Sequence, residues 1–169
     1  MNEKDFQNKI KQTIEKIVVN VGIGKMANSN PNFESKILPQ IIKDLSLITG
    51  QYPKITKAKK SIAGFKVREG QLVGLQVTLR NKKMIDFFSR LVKIVLPRVR
   101  DFSGIPLSKI DQNGSINIGL KDQYVFPEIN PEESIIQFPL GINIVSKIKN
   151  RKVAEETYLN LGFPFKIKK

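Results

Sequence analysis

The segment Leu72-Val-Gly-Leu-Gln-Val-Thr-Leu-Arg80 decides how this chain folds. In an extended strand, Val73, Leu75, Val77 and Leu79 share one side, while Gly74, Gln76, Thr78 and Arg80 share the other with Leu72. Two further segments repeat the alternation. In 17–23, Ile17, Val19, Val21 and Ile23 oppose Val18, Asn20 and Gly22; in 115–121, Ile116, Ile118 and Leu120 oppose Asn117 and Lys121. Residues 141–147 read as a fourth strand. Such strands predict a sheet with one greasy face for helices and one polar face, as antiparallel sheets allow.

The helices follow from a different period. Phe6, Ile10 and Ile14 recur every four residues and predict an N-terminal helix over 1–16. Phe33, Ile37, Leu38, Ile41, Ile42, Leu45 and Ile48 trace a second helix that stops at Gly50. Pro39 is tolerable only near a first turn, so the regular part is expected to start around Ser35 or Lys36. Met84, Phe87, Phe88, Leu91, Val92 and Val95 give a third helix ending near Pro97, and 151–161 a last one closed by Gly162. Turn formers over 25–32 read as a loop, and 98–113 as irregular. There is no internal repeat. With no clear helix between 115–121 and 141–147, the prediction is an α+β fold. It is a single domain over 1–169, with a largely antiparallel sheet and helices packed on one face.

Directly before the deciding strand lies Lys54-Ile-Thr-Lys57-Ala-Lys59-Lys60-Ser-Ile-Ala-Gly64-Phe65-Lys66-Val-Arg68, with no acid between Asp44 and Glu69. It predicts a protruding basic loop over 57–74. The whole chain agrees: 29 Lys+Arg stand against 15 Asp+Glu, a formal net charge of +14. That balance points to nucleic acid or an anionic membrane surface. Charge runs usually form a solvated face, yet Ile62 and Phe65 sit among these lysines. Apolar and aromatic groups interleaved with cations suit packing on a nucleotide or ribose. Beside that arm, the Asn, Gln, Thr and Arg residues of the polar sheet face read as a platform for a sugar-phosphate backbone, with glycines permitting close approach.

Catalysis has little to draw on. There is no cysteine and no histidine, which removes the usual zinc ligands, nucleophile–base pairs and commonest general base. No cofactor and no metal site is expected. Asp101, Asp111, Asp122 and Glu128 fall in loops without metal-ligand spacing and read as structural or surface groups. Gly22-Ile-Gly24-Lys-Met-Ala27 matches a dinucleotide fingerprint in letters, but its helix is expected about ten residues too late to face a pyrophosphate. No apolar run approaches the ~20 residues of a membrane span, and the polar first residues do not resemble a signal peptide. A cytoplasmic protein is expected, with neither a membrane nor a small-molecule substrate as partner; an organellar source stays open.

Several stretches are recognisable together. They are Ile14-Glu-Lys-Ile-Val-Val-Asn20-Val-Gly22-Ile-Gly24, then Thr49-Gly-Gln51-Tyr-Pro-Lys-Ile-Thr56-Lys57-Ala-Lys-Lys60-Ser61-Ile-Ala-Gly64-Phe65-Lys66-Val-Arg68-Glu-Gly70, and Val77-Thr-Leu-Arg80. Leu96-Pro97-Arg98-Val-Arg100-Asp101-Phe102-Ser-Gly104 and Phe126-Pro-Glu-Ile129 complete the set. In this order they resemble the bacterial large-subunit ribosomal protein L-five family, from about residue 14 to Phe165. The resemblance implies a structural, non-catalytic ribosomal protein that binds 5S rRNA within the large-subunit rRNA of the central protuberance. The 5S contacts it implies fall on Asn20, Gly22, Gly24, Gln51, Thr56, Lys57, Thr78 and Arg80. It also implies contact with peptidyl-site tRNA through Lys59, Lys60, Ser61, Gly64, Phe65, Lys66 and Arg68. A bridge to a small-subunit head protein falls on 98–113 and 123–136. The chain departs from the family pattern in a shorter segment before the first strand, in Pro39 and in the 25–32 loop. The competing readings are a free-standing RNA-modifying enzyme with a basic channel and a peripheral membrane protein.

Overall fold

The computed structural model describes residues 3–134 and 136–166. Strands β1 (Ile14–Gly22), β2 (Lys54–Lys57), β3 (Leu72–Leu79), β4 (Ile116–Leu120) and β5 (Leu140–Ser146) form an antiparallel sheet in the order β2-β3-β1-β5-β4. The α-helices are α1 (Glu3–Thr13), α2 (Gly24–Ser29), α3 (Leu38–Thr49), α4 (Asn81–Arg90), α5 (Leu96–Arg98) and α6 (Arg151–Asn160). The α+β class read from the strand alternation is the observed one. The chain divides into two compact units. One comprises residues up to Val18, Thr78–Gly119 and everything from Gly141; the other comprises Val19–Val77 and Leu120–Leu140.

In the first unit α1 packs on α4. Phe6 and Ile10 are buried, as are Met84, Ile85, Phe87 and Phe88, which recur at helical spacing on one side of α4. A π-helical turn, Leu91–Val95, carries the chain into α5 and keeps Leu91, Val92 and Val95 buried; Pro97 then stands in a first turn, where its missing N–H does no harm. The Lys93 ammonium lies 5.0 Å over the Phe6 ring. Phe163 stacks on Phe88, with centroids 6.2 Å apart, and tilts against Tyr158 and Phe165. These contacts tie the chain's C-terminal segment to the helices.

In the second unit α3 buries Leu38, Ile41, Leu45 and Ile48 and ends at Gly50, whose φ of 64° places it in the left-handed region while its N–H reaches the Ser46 carbonyl at 2.8 Å. A buried polar knot fixes the 121–139 connection beside this helix. The Ser134 hydroxyl donates to the Asp44 carboxylate, which also accepts from Gln40 Nε2 at 2.9 Å. Gln123 Nε2 donates to Ser134 Oγ at 3.0 Å and to the Ile136 carbonyl at 2.6 Å, and Gln123 Oε1 accepts from Phe138 N at 3.0 Å. Asp44, Gln123 and Ser134 are all buried, so each needs these partners.

Three expected boundaries move. The N-terminal helix stops at Thr13 and β1 starts at Ile14, not Ile17. Ile14 is buried, so an apolar stripe cannot tell helix from strand there, and the β-branched Ile14, Ile17, Val18 and Val19 favour extension. The wide turn Phe33–Ile37 precedes α3, whose regular part starts only at Leu38, with Pro39 in its first turn. The 25–32 loop is largely helical, as α2. Its turn formers close that helix: Ser29 Oγ donates to the Lys25 carbonyl at 2.9 Å and Asn30 Nδ2 to the Met26 carbonyl at 3.2 Å. A helix therefore does begin inside the Gly22–Ala27 fingerprint. It is only 6 residues long, and an antiparallel sheet offers no parallel strand to complete a dinucleotide-binding unit.

Candidate nucleic-acid interface

The polar face is built first by the β2–β3 hairpin. Lys54 pairs with Gln76, Ile55 with Leu75, Thr56 with Gly74, and the register shifts before Lys57 meets Leu72. Directly paired residues point to the same face, so Lys54 and Thr56 stand beside Gln76 and Gly74. Gly74 is there for packing: a Cβ would lie 2.9 Å from Thr56 Oγ1 and 3.1 Å from the Val21 carbonyl. The Thr56 hydroxyl thus sits over bare backbone. On β1, Asn20 is half-buried between the buried Val19 and Val21, and Gly22 is exposed with open space where a side chain would be. Gly24 is the first residue of α2, with only ordinary contact to Val73. Gln51 leaves α3 through the Gly50 turn, its carbonyl accepting from the Thr49 hydroxyl at 3.0 Å. The second unit thus gathers Asn20, Gly22, Gly24, Gln51, Thr56 and Lys57 on and around three strands.

Thr78 and Arg80 belong to the other unit. Thr78 is half-buried near the end of β3, and Arg80 precedes α4 in extended backbone. The Arg80 guanidinium lies 3.8 Å from the Glu15 carboxylate. With both side chains substantially exposed, such a pair contributes little and yields readily to a phosphate. This pairing has no signal in the sequence, because Glu15 stands in a segment read as helix.

The basic arm between β2 and β3 has its own hydrogen-bond ladder. Ala58 N donates to the Gln71 carbonyl at 2.8 Å and Gly70 N to the Ala58 carbonyl at 2.9 Å; Ile62 and Val67 exchange both backbone bonds, at 2.9 and 3.2 Å. A short 3₁₀ turn, Ala63–Phe65, caps the arm, with Lys66 at φ 51°. The Ser61 hydroxyl accepts from Glu69 N at 2.9 Å, and Gln71 Oε1 accepts from Arg68 N at 2.9 Å. Asn28 of α2 joins this system through hydrogen bonds with the Gln71 amide and the Lys66 carbonyl. A cleft of about 680 Å³ at the arm's root is lined by Asn28, Asn30, Lys57 and Gln71 among others.

The arm's polar uncharged groups therefore serve its shape, while its charged and aromatic groups face out. Lys59, Lys60, Lys66 and Arg68 are exposed, and among the described residues none of them closes an ion pair. Phe65 is 76% exposed and Ile62 50%. An aromatic ring held out among cations is fitted to stack on a base while lysines hold the backbone. Among the loop carboxylates, Asp111 accepts from Ser115 N at 2.8 Å and Asp122 from Tyr124 N at 3.2 Å, both shaping turns.

Comparison with known proteins identifies the family. Residues 11–68 match the family described as Ribosomal protein L5, and residues 72–165 match the C-terminal part of the same ribosomal family. The chain is 46% identical over 153 residues to the large ribosomal subunit protein uL5 of Bifidobacterium adolescentis, covering 90% of this chain and 78% of that protein. It is 44% identical to the Fusobacterium nucleatum uL5, over 90% of this chain and 81% of the relative. With the uL5 of an Anaeromyxobacter species it shares 42% identity over 98% of this chain and 90% of the relative. The chain belongs to the ribosomal protein L5 family and is a structural ribosomal protein, not an enzyme.

Proposed function

We propose that this protein is a constituent of the large ribosomal subunit that binds 5S rRNA through its polar strand face. The residues assigned to that contact are Asn20, Gly22, Gly24, Gln51, Thr56, Lys57, Thr78 and Arg80. The arm contacts peptidyl-site tRNA through Lys59, Lys60, Ser61, Gly64, Phe65, Lys66 and Arg68. Segments 98–113 and 123–136, of which Ile135 lies outside the described residues, serve the bridge to a small-subunit head protein. The observation that carries the RNA reading is the arm itself: a hydrogen-bonded extension that presents Phe65 among exposed cations, none of which closes an ion pair among the described residues. The relatives' name supports the placement in the large subunit.

Filter-binding titrations at several salt concentrations test the reading. The protein is expected to prefer 5S rRNA over an unrelated RNA of equal length, with a log–log salt slope of roughly −0.7 to −0.9 per phosphate neutralised. Asn20→Ala, Gln51→Ala and Thr78→Ala are each expected to weaken 5S binding by about 0.5–1.5 kcal/mol while leaving that slope alone. Equal affinity for both RNAs would sink the assignment.

A further inference from the structure

A second concentration of charge lies outside the strand face and the arm, within the unit that holds both chain ends. Residues 147–152, Lys-Ile-Lys-Asn-Arg-Lys, join β5 to α6. Lys149, Arg151 and Lys152 are exposed, as are Lys11 and Lys109 on adjoining segments. Hydrogen bonds tie the segments together. Lys147 Nζ donates to the Lys11 carbonyl at 2.5 Å, Lys147 N to the Thr13 carbonyl at 2.8 Å, and Arg151 Nη2 to the Leu107 carbonyl at 3.1 Å. Lys147 is thereby committed to the end of α1, whereas Arg151 keeps its other N–H donors.

The backbone beneath is held firmly. Gly114, at φ 73°, runs so close that a Cβ there would lie 2.6 Å from the Ile148 carbonyl and 2.7 Å from Ala154 Cβ. Ile148 N donates to Ser146 Oγ at 2.9 Å, and the Asn150 side chain accepts from Lys152 N at 3.0 Å.

Folding alone does not favour this arrangement. The first turn of a helix favours acids, and α6 has none there; Arg151 and Lys152 instead put two cations at the positive end of its dipole. Glu155 and Glu156 follow at i+4, yet among the described residues neither closes an ion pair with them. Asp111, on the turn that holds Gly114, is engaged by Ser115 N. Excess positive charge on a closely packed turn, with no carboxylate paired to it among the described residues, calls for an external anion.

We propose that this turn grips the phosphate backbone of an RNA segment through Lys149, Arg151 and Lys152, with Lys11 and Lys109 beside them, as a contact separate from the arm and the strand face. The inference rests on the chain's working among RNA, but not on that RNA being 5S. A membrane surface is the poorer fit, since α6 exposes only Val153 and Leu159 as large apolar residues.

The test uses the full chain, a variant combining Lys149→Gln, Arg151→Gln and Lys152→Gln, and the charge-preserving Arg151→Lys. Each is titrated with 5S rRNA, with an RNA duplex of unrelated sequence and with vesicles containing anionic phospholipid. The triple variant is expected to flatten the salt slope by about 2–3 for at least one of the two RNAs, while Arg151→Lys leaves it unchanged. If circular dichroism shows the triple variant unfolded, Lys149→Gln, which lies outside the helix, is expected to flatten the slope by about 1. Unchanged slopes for both RNAs overturn the proposal, as does a loss confined to the vesicles. Failure of the unaltered protein to prefer 5S rRNA would overturn the 5S assignment and leave this inference to be decided by the duplex.

Discussion

Two long connections join neighbouring strands, and they treat their polar groups in opposite ways. Between β4 and β5, residues 121–139 turn Ser134 inward onto Asp44 and Gln123 onto Ser134, the Ile136 carbonyl and the Phe138 N–H. Between β2 and β3, residues 58–71 satisfy only their backbone and neutral side chains, and leave Lys59, Lys60, Lys66 and Arg68 outward around an exposed Phe65. The first connection is part of the fold. The second is folded too, but its charges have meaning only when another molecule arrives. A loop's role is therefore better read from where its charges find partners than from whether it is ordered.

The sharpest way to break this contrast is to remove Gln123. Gln123→Ala deletes three hydrogen bonds at once, strands the Phe138 N–H and opens a cavity at a fully buried position. A loss of about 3 kcal/mol is expected, from unsatisfied buried groups together with the lost packing. Urea unfolding followed by circular dichroism checks it. A change below about 0.5 kcal/mol would show that the knot is decoration.

Neutralising the arm tests the other half. Converting Lys59, Lys60, Lys66 and Arg68 together to Gln removes exposed charges that touch nothing internal, so stability is expected to stay within about 0.5 kcal/mol. Binding of tRNA is expected to fall, with a salt slope flatter by roughly 3–4, while most 5S affinity remains. Loss of 5S binding in the same variant would merge arm and strand face into one site and end the partition between them.

The two connections were unequally legible in the sequence. The arm announces itself through a run of cations with no acid between Asp44 and Glu69, and the alternation in 72–80 reveals the core row of β3, with Leu75, Val77 and Leu79 buried. The knot left no comparable trace. Asp44 reads as an ordinary helical acid, and its partner Ser134 is 90 residues away; only the tertiary fold brings them together. Likewise α2 was hidden because Ser29 and Asn30, residues that usually mark turns, bond back to the preceding helical carbonyls. Gly74 was read as allowing an RNA to approach, yet the space above it is filled by Thr56 and the β1 backbone. Period and charge are local signals, whereas burial of a polar group depends on residues far along the chain.

The smallest effect concerns a buried polar group that neither connection supplies. The Tyr158 hydroxyl is buried, and burial pushes its pKa up from 10.0 to about 12; the nearby Ser146 hydroxyl pulls it down, without closing a regular hydrogen bond, and the Asp111 carboxylate adds a further rise. The folded state therefore prefers the neutral phenol more strongly than the unfolded chain does. The stability tied to that preference is fully present below about pH 10 and is lost as pH rises through the folded value of about 12. Near neutral pH, Tyr158→Phe is expected to change stability by less than about 1 kcal/mol, since no regular hydrogen bond is removed. Between pH 10 and 12 the unaltered protein is expected to lose stability faster than the variant. The two proteins share every other ionisable group, so the difference between their melting curves isolates Tyr158. Parallel curves across that range would mean the phenol ionises as freely in the fold as in the unfolded chain.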